Sequence, residues 1–332
     1  MKISVIIPYY ENMDNLRKCC NALRKQTVKP YEVIIVNDNP LVDFDQVEFL
    51  KGFKVINNPC HRGPAFSRNY GASVATGEVL FFLDSDVVLL PNAVEELQNS
   101  FSDENTNCVQ GLYKLSLNKV DLATKYSRLF DEYKNRKMKD TKVIMSYCFA
   151  IKKEIFESTS GFDINIRRAT VEDNDFGAQL YRRSVKILLN EKLRGFHLKR
   201  YNNLLSLLKW NFFMFCDLAK LYLRKRYSFM DSSPISIEQR LEKYRLLGSM
   251  LLAPVIFLLF LLFIFKGDSL ILCYFAILLI FYFFVNINFF IFLANFLKIY
   301  EVFLCLFIDL LVNLSRVTGA VVGIITFPKY KY

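Results

Sequence analysis

The carboxylates that could do chemistry in this chain come in short, well-separated groups. Asp84-Ser85-Asp86 follows the apolar run Val79–Leu83, Asp38 follows the run Glu32–Val36, and Glu172-Asp173 opens a helix-prone stretch. Two acids spaced two residues apart at the end of a strand are hard oxygen donors. Such donors hold Mg²⁺ or Mn²⁺ while the metal's other positions take phosphate oxygens. Taken alone, the same pair is equally a solvated turn, and Glu172-Asp173 equally complements a helix dipole. Other chemistries find no support. No G-x-G-x-x-G follows the first strand and no G-x-x-x-x-G-K-[ST] occurs, which argues against a nicotinamide dehydrogenase or a P-loop NTPase. The eight cysteines are scattered without a C-x-x-C pair, and His61 and His197 are the two histidines. Zinc clusters need closer spacing than that, so the cysteines read as free thiols in a reducing compartment.

The elements that must position these acids are legible from apolar runs. Ile3–Ile7, Glu32–Val36, Lys54–Asn57 and Val79–Leu83 read as buried parallel strands, with helices over Asn12–Gln26 and Phe66–Ala75 between them. Strand and helix in alternation predict an α/β, doubly wound, mostly parallel sheet. Ligands of such sheets bind beyond the carboxyl ends of the strands, where Asp38, Asp84 and Asp86 fall.

With the motifs in hand, the chain resembles the family 2 glycosyltransferases, inverting enzymes with a GT-A-type fold. The resemblance rests on Ser4–Asn12 (SVIIPYYEN), Glu32–Asn39 (EVIIVNDN), Gly63–Gly71 (GPAFSRNYG), Gly77–Asp86 (GEVLFFLDSD), Ser160–Asp163 (SGFD) and Val171–Gly177 (VEDNDFG). It covers roughly residues 2 to 200 and implies a nucleotide-sugar-binding domain with a metal site. Pro8, Tyr10 and Glu11 would line the nucleotide, and Asp38 would accept a hydrogen bond from uracil. Arg68 would reach the base or the diphosphate. Asp84, with Ser85, would bind the ribose or sugar, and Asp86 would be the principal ligand of Mg²⁺ or Mn²⁺. His197 would approach that metal or the diphosphate. Asn37 stands where the family usually carries a further acid. An inverting transfer needs a carboxylate to take the acceptor's proton; Asp173 fills that role, with Glu172 positioning it and Asp175 as the alternative.

Composition adds the membrane. From Leu246 onward 87 residues carry five Lys or Arg and three Asp or Glu, against 38 and 29 before them. Leu246–Phe265 and Ser269–Leu297 are uncharged runs joined by Lys266-Gly267-Asp268, long enough for a transmembrane hairpin. Arg224, Lys225, Arg226, Arg240, Lys243 and Arg245 at its entrance place that side in the cytoplasm, and no signal peptide is read at the start. Upstream, Leu204–Leu223 suits an amphipathic helix on the membrane surface or a core helix. Downstream, Glu301, Asp309 and Asn313 share one helical face, which suits an interfacial or re-entrant segment or a third span. The division predicted is a catalytic domain over 1–202, a surface helix and linker over 203–245, a hairpin over 246–297 and the last segment over 298–332. The basic run Tyr133–Lys142 reads as a membrane-facing or solvated loop, not a nucleic-acid site.

Together these predict a membrane-anchored inverting glycosyltransferase on the cytoplasmic face of the inner membrane. Its partners would be a UDP-sugar donor, membrane lipids, and a hydroxyl on a lipid-linked saccharide or surface polysaccharide precursor. Two alternatives stay open: a polyprenyl-phosphate glycosyltransferase, and an inactive membrane scaffold that keeps the fold. A transporter or processive synthase would need more spans, and the family's Q-x-x-R-W motif is missing.

Overall fold

The computed structural model describes residues 1–44, 47–137, 144–225 and 237–327. The chain divides into two compact units, Met1–Ser116 with Lys139–Lys199, and Leu117–Met138 with Arg200–Tyr332. The later junction falls between Lys199 and Arg200, and Leu117–Met138 belongs with the second unit.

The first unit is built on β1 (Ile3–Tyr9), α1 (Met13–Arg24), β2 (Glu32–Asn37), β3 (Lys54–Asn57), α2 (Pro64–Val74), β4 (Val79–Leu83), β5 (Val87–Leu89), α3 (Ala93–Ser100) and β6 (Cys108–Tyr113). In the second unit, α4 (Leu122–Asn135) follows. The first unit resumes with β7 (Cys148–Lys152), α5 (Lys153–Glu157), α6 (Glu172–Arg182) and β8 (Ile187–His197). Eight strands form one sheet in the order β3-β2-β1-β4-β7-β6-β8-β5. The β3-β2-β1-β4 half is parallel, as is β6-β8; β4-β7, β6-β7 and β5-β8 are antiparallel. The sheet is mixed because β7 and β5 reverse direction, and the parallel half coincides with the four strands legible in sequence. Alternation explains its two cores. Val5, Ile7, Ile35, Phe81 and Leu83 pack on one face, and Ile6, Ile34, Val36, Leu80 and Phe82 on the other.

The second unit holds α4, α7 (Leu204–Lys225), α8 (Ile237–Lys266), α9 (Ser269–Val285), α10 (Ile287–Ala294) and α11 (Ile299–Thr326). Arg240–Lys266 and Ile299–Thr326 are long and apolar enough to cross a membrane, whereas α9 and α10 form a pair bent by 68°. The second apolar run is thus no single straight span. Asn286 breaks it: its amide donates to Ser249 Oγ and to the Tyr282 carbonyl, each at 2.9 Å. The segment after Lys298, read as interfacial or re-entrant first and a third span second, is one long apolar helix; its last residues, 328–332, lie outside the described ones.

The polar stripe on α11 faces its neighbours and is buried. Tyr126 and Tyr282 both donate to Asp309, the latter at 2.5 Å, and Asn313 Nδ2 donates to Tyr282 Oη at 2.8 Å. Arg316 donates to Asn313 Oδ1 at 3.1 Å and to Asn211 Oδ1 on α7 at 2.9 Å. Buried polar groups inside apolar helices persist when bonded in this way. α7 lies against α11 so closely that a Cβ on Gly319 would sit 2.2 Å from the Phe212 carbonyl oxygen, and one on Gly323 2.4 Å from that of Cys216. α7 is therefore packed on a helix over part of its surface. Of the basic run Tyr133–Lys142, Lys137 pairs with Glu242 at 2.8 Å, and residues 138–142 lie outside the described ones.

Candidate active site

The strand ends of the parallel half deliver the acids, and a short antiparallel pairing completes the constellation. β5 runs beside β8 with Val87 opposite His197. Asp86, one residue earlier, therefore meets the end of β8: the Leu198 N–H donates to the Asp86 carbonyl at 2.8 Å, and His197 Nε2 lies 3.2 Å from Asp86 Oδ2. Burial works to raise the Asp86 pKa, but the His197 hydrogen bond and charge, with Lys199, hold it below the ordinary carboxylate value. The His197 ring stacks on Tyr113 at 4.3 Å and 4°, and Tyr113 stacks on Tyr147 at 3.6 Å and 12°. The imidazole is thereby fixed in orientation. Asp84, Ser85 and Asp86 are all half-buried.

Arg68 joins the two acidic groups. It projects from α2 into the interior, 2% exposed, and donates from Nη2 to Asp84 Oδ1 at 2.8 Å and from Nη1 to Glu172 Oε1 at 3.0 Å. Burial disfavours its charge, but Asp84, Glu172 and Asp173 outweigh burial and hold the guanidinium protonated. Glu172, itself 3% exposed, also accepts from the Thr170 N–H at 2.8 Å. Burial, then the neighbouring Asp173, pushes its pKa up to about 7. Asp173 accepts from the Ser146 N–H through Oδ2 at 2.9 Å, while Oδ1 has no hydrogen-bond partner among the described residues. Burial raises its pKa against the pull of Arg68. The alternative base, Asp175, is fully buried and accepts from Gln179 at 3.1 Å.

At the ends of β1 and β2, Pro8 is half-buried and pairs with Val36; Tyr10 and Glu11 are exposed. Asp38 is 2% exposed. Its Oδ1 accepts from Asn58 Nδ2 and the Arg62 N–H, and its Oδ2 from the Gly63 N–H and His61 Nδ1, all at 2.8 Å. Gly63 takes φ 89°, and a Cβ there would sit 2.3 Å from the Arg167 carbonyl oxygen, so the turn tolerates no side chain.

A family model described as glycosyl transferase family 2 matches residues 4–159. That stretch holds β1 to β7 and both members of the Asp84/Asp86 pair. Residues 4–159 belong to glycosyl transferase family 2. Among relatives of this family 2 domain, a poly(ribitol-phosphate) β-N-acetylglucosaminyltransferase, TarP, from Staphylococcus aureus is 31% identical over 34% of this chain and 36% of its own. An uncharacterized glycosyltransferase from Haemophilus influenzae is 28% identical over 60% of this chain and 69% of its own. In several other curated relatives the match spans only 15% to 38% of their length. The solved mannosyltransferase PcManGT from Pyrobaculum calidifontis, in complex with GDP-Man and Mn²⁺, aligns over 98% of this chain and 87% of its own, with a TM-score of 0.55 at 12% identity. That likeness establishes the GT-A-type fold.

Two residues given binding roles by the resemblance are engaged with other protein groups in this structure. Asp38 was expected to accept from uracil, yet four donors already occupy the roughly four lone-pair positions a carboxylate offers. It staples the turn from Asn58 to Gly63 instead. Arg68 was expected to reach base or diphosphate; it donates from Nη2 to Asp84 and from Nη1 to Glu172, while its Nε has no partner among the described residues. Asp86 and His197 do converge, and an oxygen with an imidazole nitrogen is a donor pair that Mn²⁺ accepts readily and Mg²⁺ less so. Among the described residues no three His, Cys, Asp or Glu side chains converge, so such an ion would take its remaining ligands from elsewhere. Tyr113 and Tyr147, which orient His197, were not foreseen. They lie on or beside strands that pair across the sheet, and only that pairing brings them to the site.

Proposed function

We propose that the protein is an inverting, metal-dependent glycosyltransferase that moves one sugar from a nucleotide sugar, a UDP-sugar, to an acceptor hydroxyl. The observation that carries this is Asp173: one carboxylate oxygen is held by a backbone N–H, and the other has no partner and a raised pKa. A base needs a fixed orientation and a lone pair for the acceptor's proton, and the raised pKa favours taking that proton up.

In the proposed reaction the acceptor oxygen forms a bond to the anomeric carbon while the bond from that carbon to the diphosphate breaks. The bonding pair leaves on the nucleoside diphosphate, and the acceptor's proton passes to Asp173 Oδ1. Glu172 and Arg68 hold the start of α6 so that this oxygen keeps its direction. Asp86 and His197 would hold a divalent ion, which would supply charge neutralisation at the departing diphosphate. Stacking of the His197 ring on Tyr113 favours this orientation. The similar mannosyltransferase structure contains GDP-Man and Mn²⁺, which supports the donor class and the metal. The name of TarP supports a polymeric surface acceptor. The apolar helices α8 and α11 support an acceptor that resides at a membrane, on its cytoplasmic face.

The test is release of nucleoside diphosphate by detergent-purified protein, from a panel of nucleotide sugars, with and without membrane lipid extract and with Mg²⁺ or Mn²⁺. Lipid-stimulated release from one donor, lost in both Asp86→Ala and Asp173→Asn, is the expected outcome. Release that survives Asp173→Asn would instead point to a phosphate acceptor, which needs no base. No release and no donor binding in any arm would leave the inactive scaffold.

A further inference from the structure

We propose that Gln110 is a positioning residue for the transfer: it holds the peptide group whose N–H fixes Asp173, the proposed base. The inference deepens, and rests on, the transferase function proposed above. Gln110 lies on β6 and is fully buried. Its Oε1 accepts from the Met145 N–H at 2.7 Å. Its Nε2 donates to the carbonyls of Gly111 at 2.8 Å, Cys148 at 3.0 Å and Met145 at 3.1 Å. The reverse orientation of the amide would set its oxygen against three carbonyls, so the bonding pattern fixes which end is which. One side chain thus engages both backbone polar groups of Met145.

The peptide plane carries this hold to Asp173. The Met145 carbonyl and the Ser146 N–H belong to one planar group and point in opposite directions, so fixing the oxygen aims the N–H. That N–H donates to Asp173 Oδ2 at 2.9 Å, and Ser146 is itself buried. A hydrogen-bonded chain therefore runs from the Gln110 amide through one peptide to the carboxylate, and Oδ1 is left for the acceptor's proton. Each bond in such a chain polarises the next. The far end of the segment is tied to the sheet, where Cys148 pairs with Leu83, and the Cys148 N–H closes a turn onto the Met145 carbonyl at 3.2 Å. β6 is shaped for the task. Its register against β8 shifts between Gln110 and Leu112, an irregularity of the kind that re-aims a side chain. A Cβ on Gly111 would sit 2.5 Å from Cys148 Sγ, so only glycine lets the two strands meet there. Among the charges that face Asp173, Arg68 on α2 lowers its pKa and Asp84 at the end of β4 raises it, with Glu172 beside it on α6; the Ser146 bond adds to the lowering.

The experiment measures kcat and donor KM against pH for the full-length protein in detergent, with the nucleotide sugar that gives release in the panel above. Gln110→Met keeps the length of the side chain and removes its polar atoms. It is expected to lower the kcat plateau about tenfold or more, through misplacement of the base, with donor KM within about threefold of wild type. The rising limb of kcat should move up by about one pH unit, because a loosened Ser146 bond no longer favours the carboxylate. Gln26→Met is the matched control. Gln26 is 2% exposed, donates to the Ala22 and Leu90 carbonyls and accepts from the Val94 N–H, away from the candidate site. It should lose a comparable thermal midpoint while its limb stays in place and kcat stays within about threefold of wild type. A Gln110→Met variant that behaves like this control overturns the positioning role and leaves the transferase function standing. Amide hydrogen exchange of the wild type supplies a check that does not depend on the variant folding. The Met145 and Ser146 amides should exchange as slowly as those of β7, and rapid exchange there would overturn the fixed peptide. Absence of release from wild type with every donor would overturn the transferase function itself.

Discussion

Arg68 is the residue on which the candidate site turns, because its one positive charge is shared by Asp84 and Glu172. Removing one member of a buried ionic cluster costs about 3–5 kcal/mol, since the remaining charges lose their compensation. Arg68→Ala should therefore lower the unfolding midpoint markedly, and Arg68→Ala with Glu172→Gln should recover part of the loss, as thermal denaturation of the two variants would reveal. The protonation of Glu172 gives a second expectation. Its pKa rises from the ordinary 4.5 to about 7 on folding, so the folded state holds this proton longer than the unfolded chain. Its contribution to stability is full below about pH 4.5 and is lost as pH climbs through about 7. Glu172→Gln should flatten denaturant-unfolding stability across that window. For activity the sign is opposite. Asp173 must be ionised to act as base, so kcat/KM should rise with pH along a limb displaced above the usual carboxylate range, and Asp173→Asn should abolish the limb with the activity.

At the scale of elements, two kinds of contact decide placement. In the first unit a three-residue strand, β5, sets the active geometry, because its pairing with β8 carries His197 to Asp86. In the second unit Gly319 and Gly323, four residues apart on α11, let α7 approach to backbone contact. A methyl group at Gly319 must displace the Phe212 carbonyl, so Gly319→Ala should cost about 1–3 kcal/mol by overpacking. Gly248 on α8 has nothing within 4 Å of its Cβ position and supplies the control. Thermal aggregation of both variants in detergent should separate them, with Gly248→Ala at or above the wild-type midpoint.

Over the whole molecule, charge is segregated along the chain, and the basic residues Arg240, Lys243 and Arg245 stand at the entrance to the first apolar helix. In the proposed orientation Cys60, which is exposed, is expected on the cytoplasmic side. A membrane-impermeant maleimide should label Cys60 in inside-out vesicles and leave it unlabelled in right-side-out ones, in a chain whose other exposed cysteine, Cys273, is replaced by serine. The sequence by itself determined much. Four buried strands, the acids that end them and the apolar tail were legible because each is a local pattern: a β-branched run, a turn after it, or twenty residues without charge. The assignment of Asp86 and His197 to a metal and of Asp173 to the base came through resemblance and stands as a proposal. Tertiary structure alone decided the rest. Whether Asp38 faces a ligand or a turn depends on four donors, three of them from residues 61 to 63 and one from residue 58. Whether Arg68 is free depends on an acid 104 positions away. The second apolar run bends because Asn286 meets Ser249, and the stripe on α11 is buried because Tyr126 and Tyr282 meet Asp309. Hydrogen-bond saturation is a property of what the folded chain brings near a group, and no local pattern encodes it.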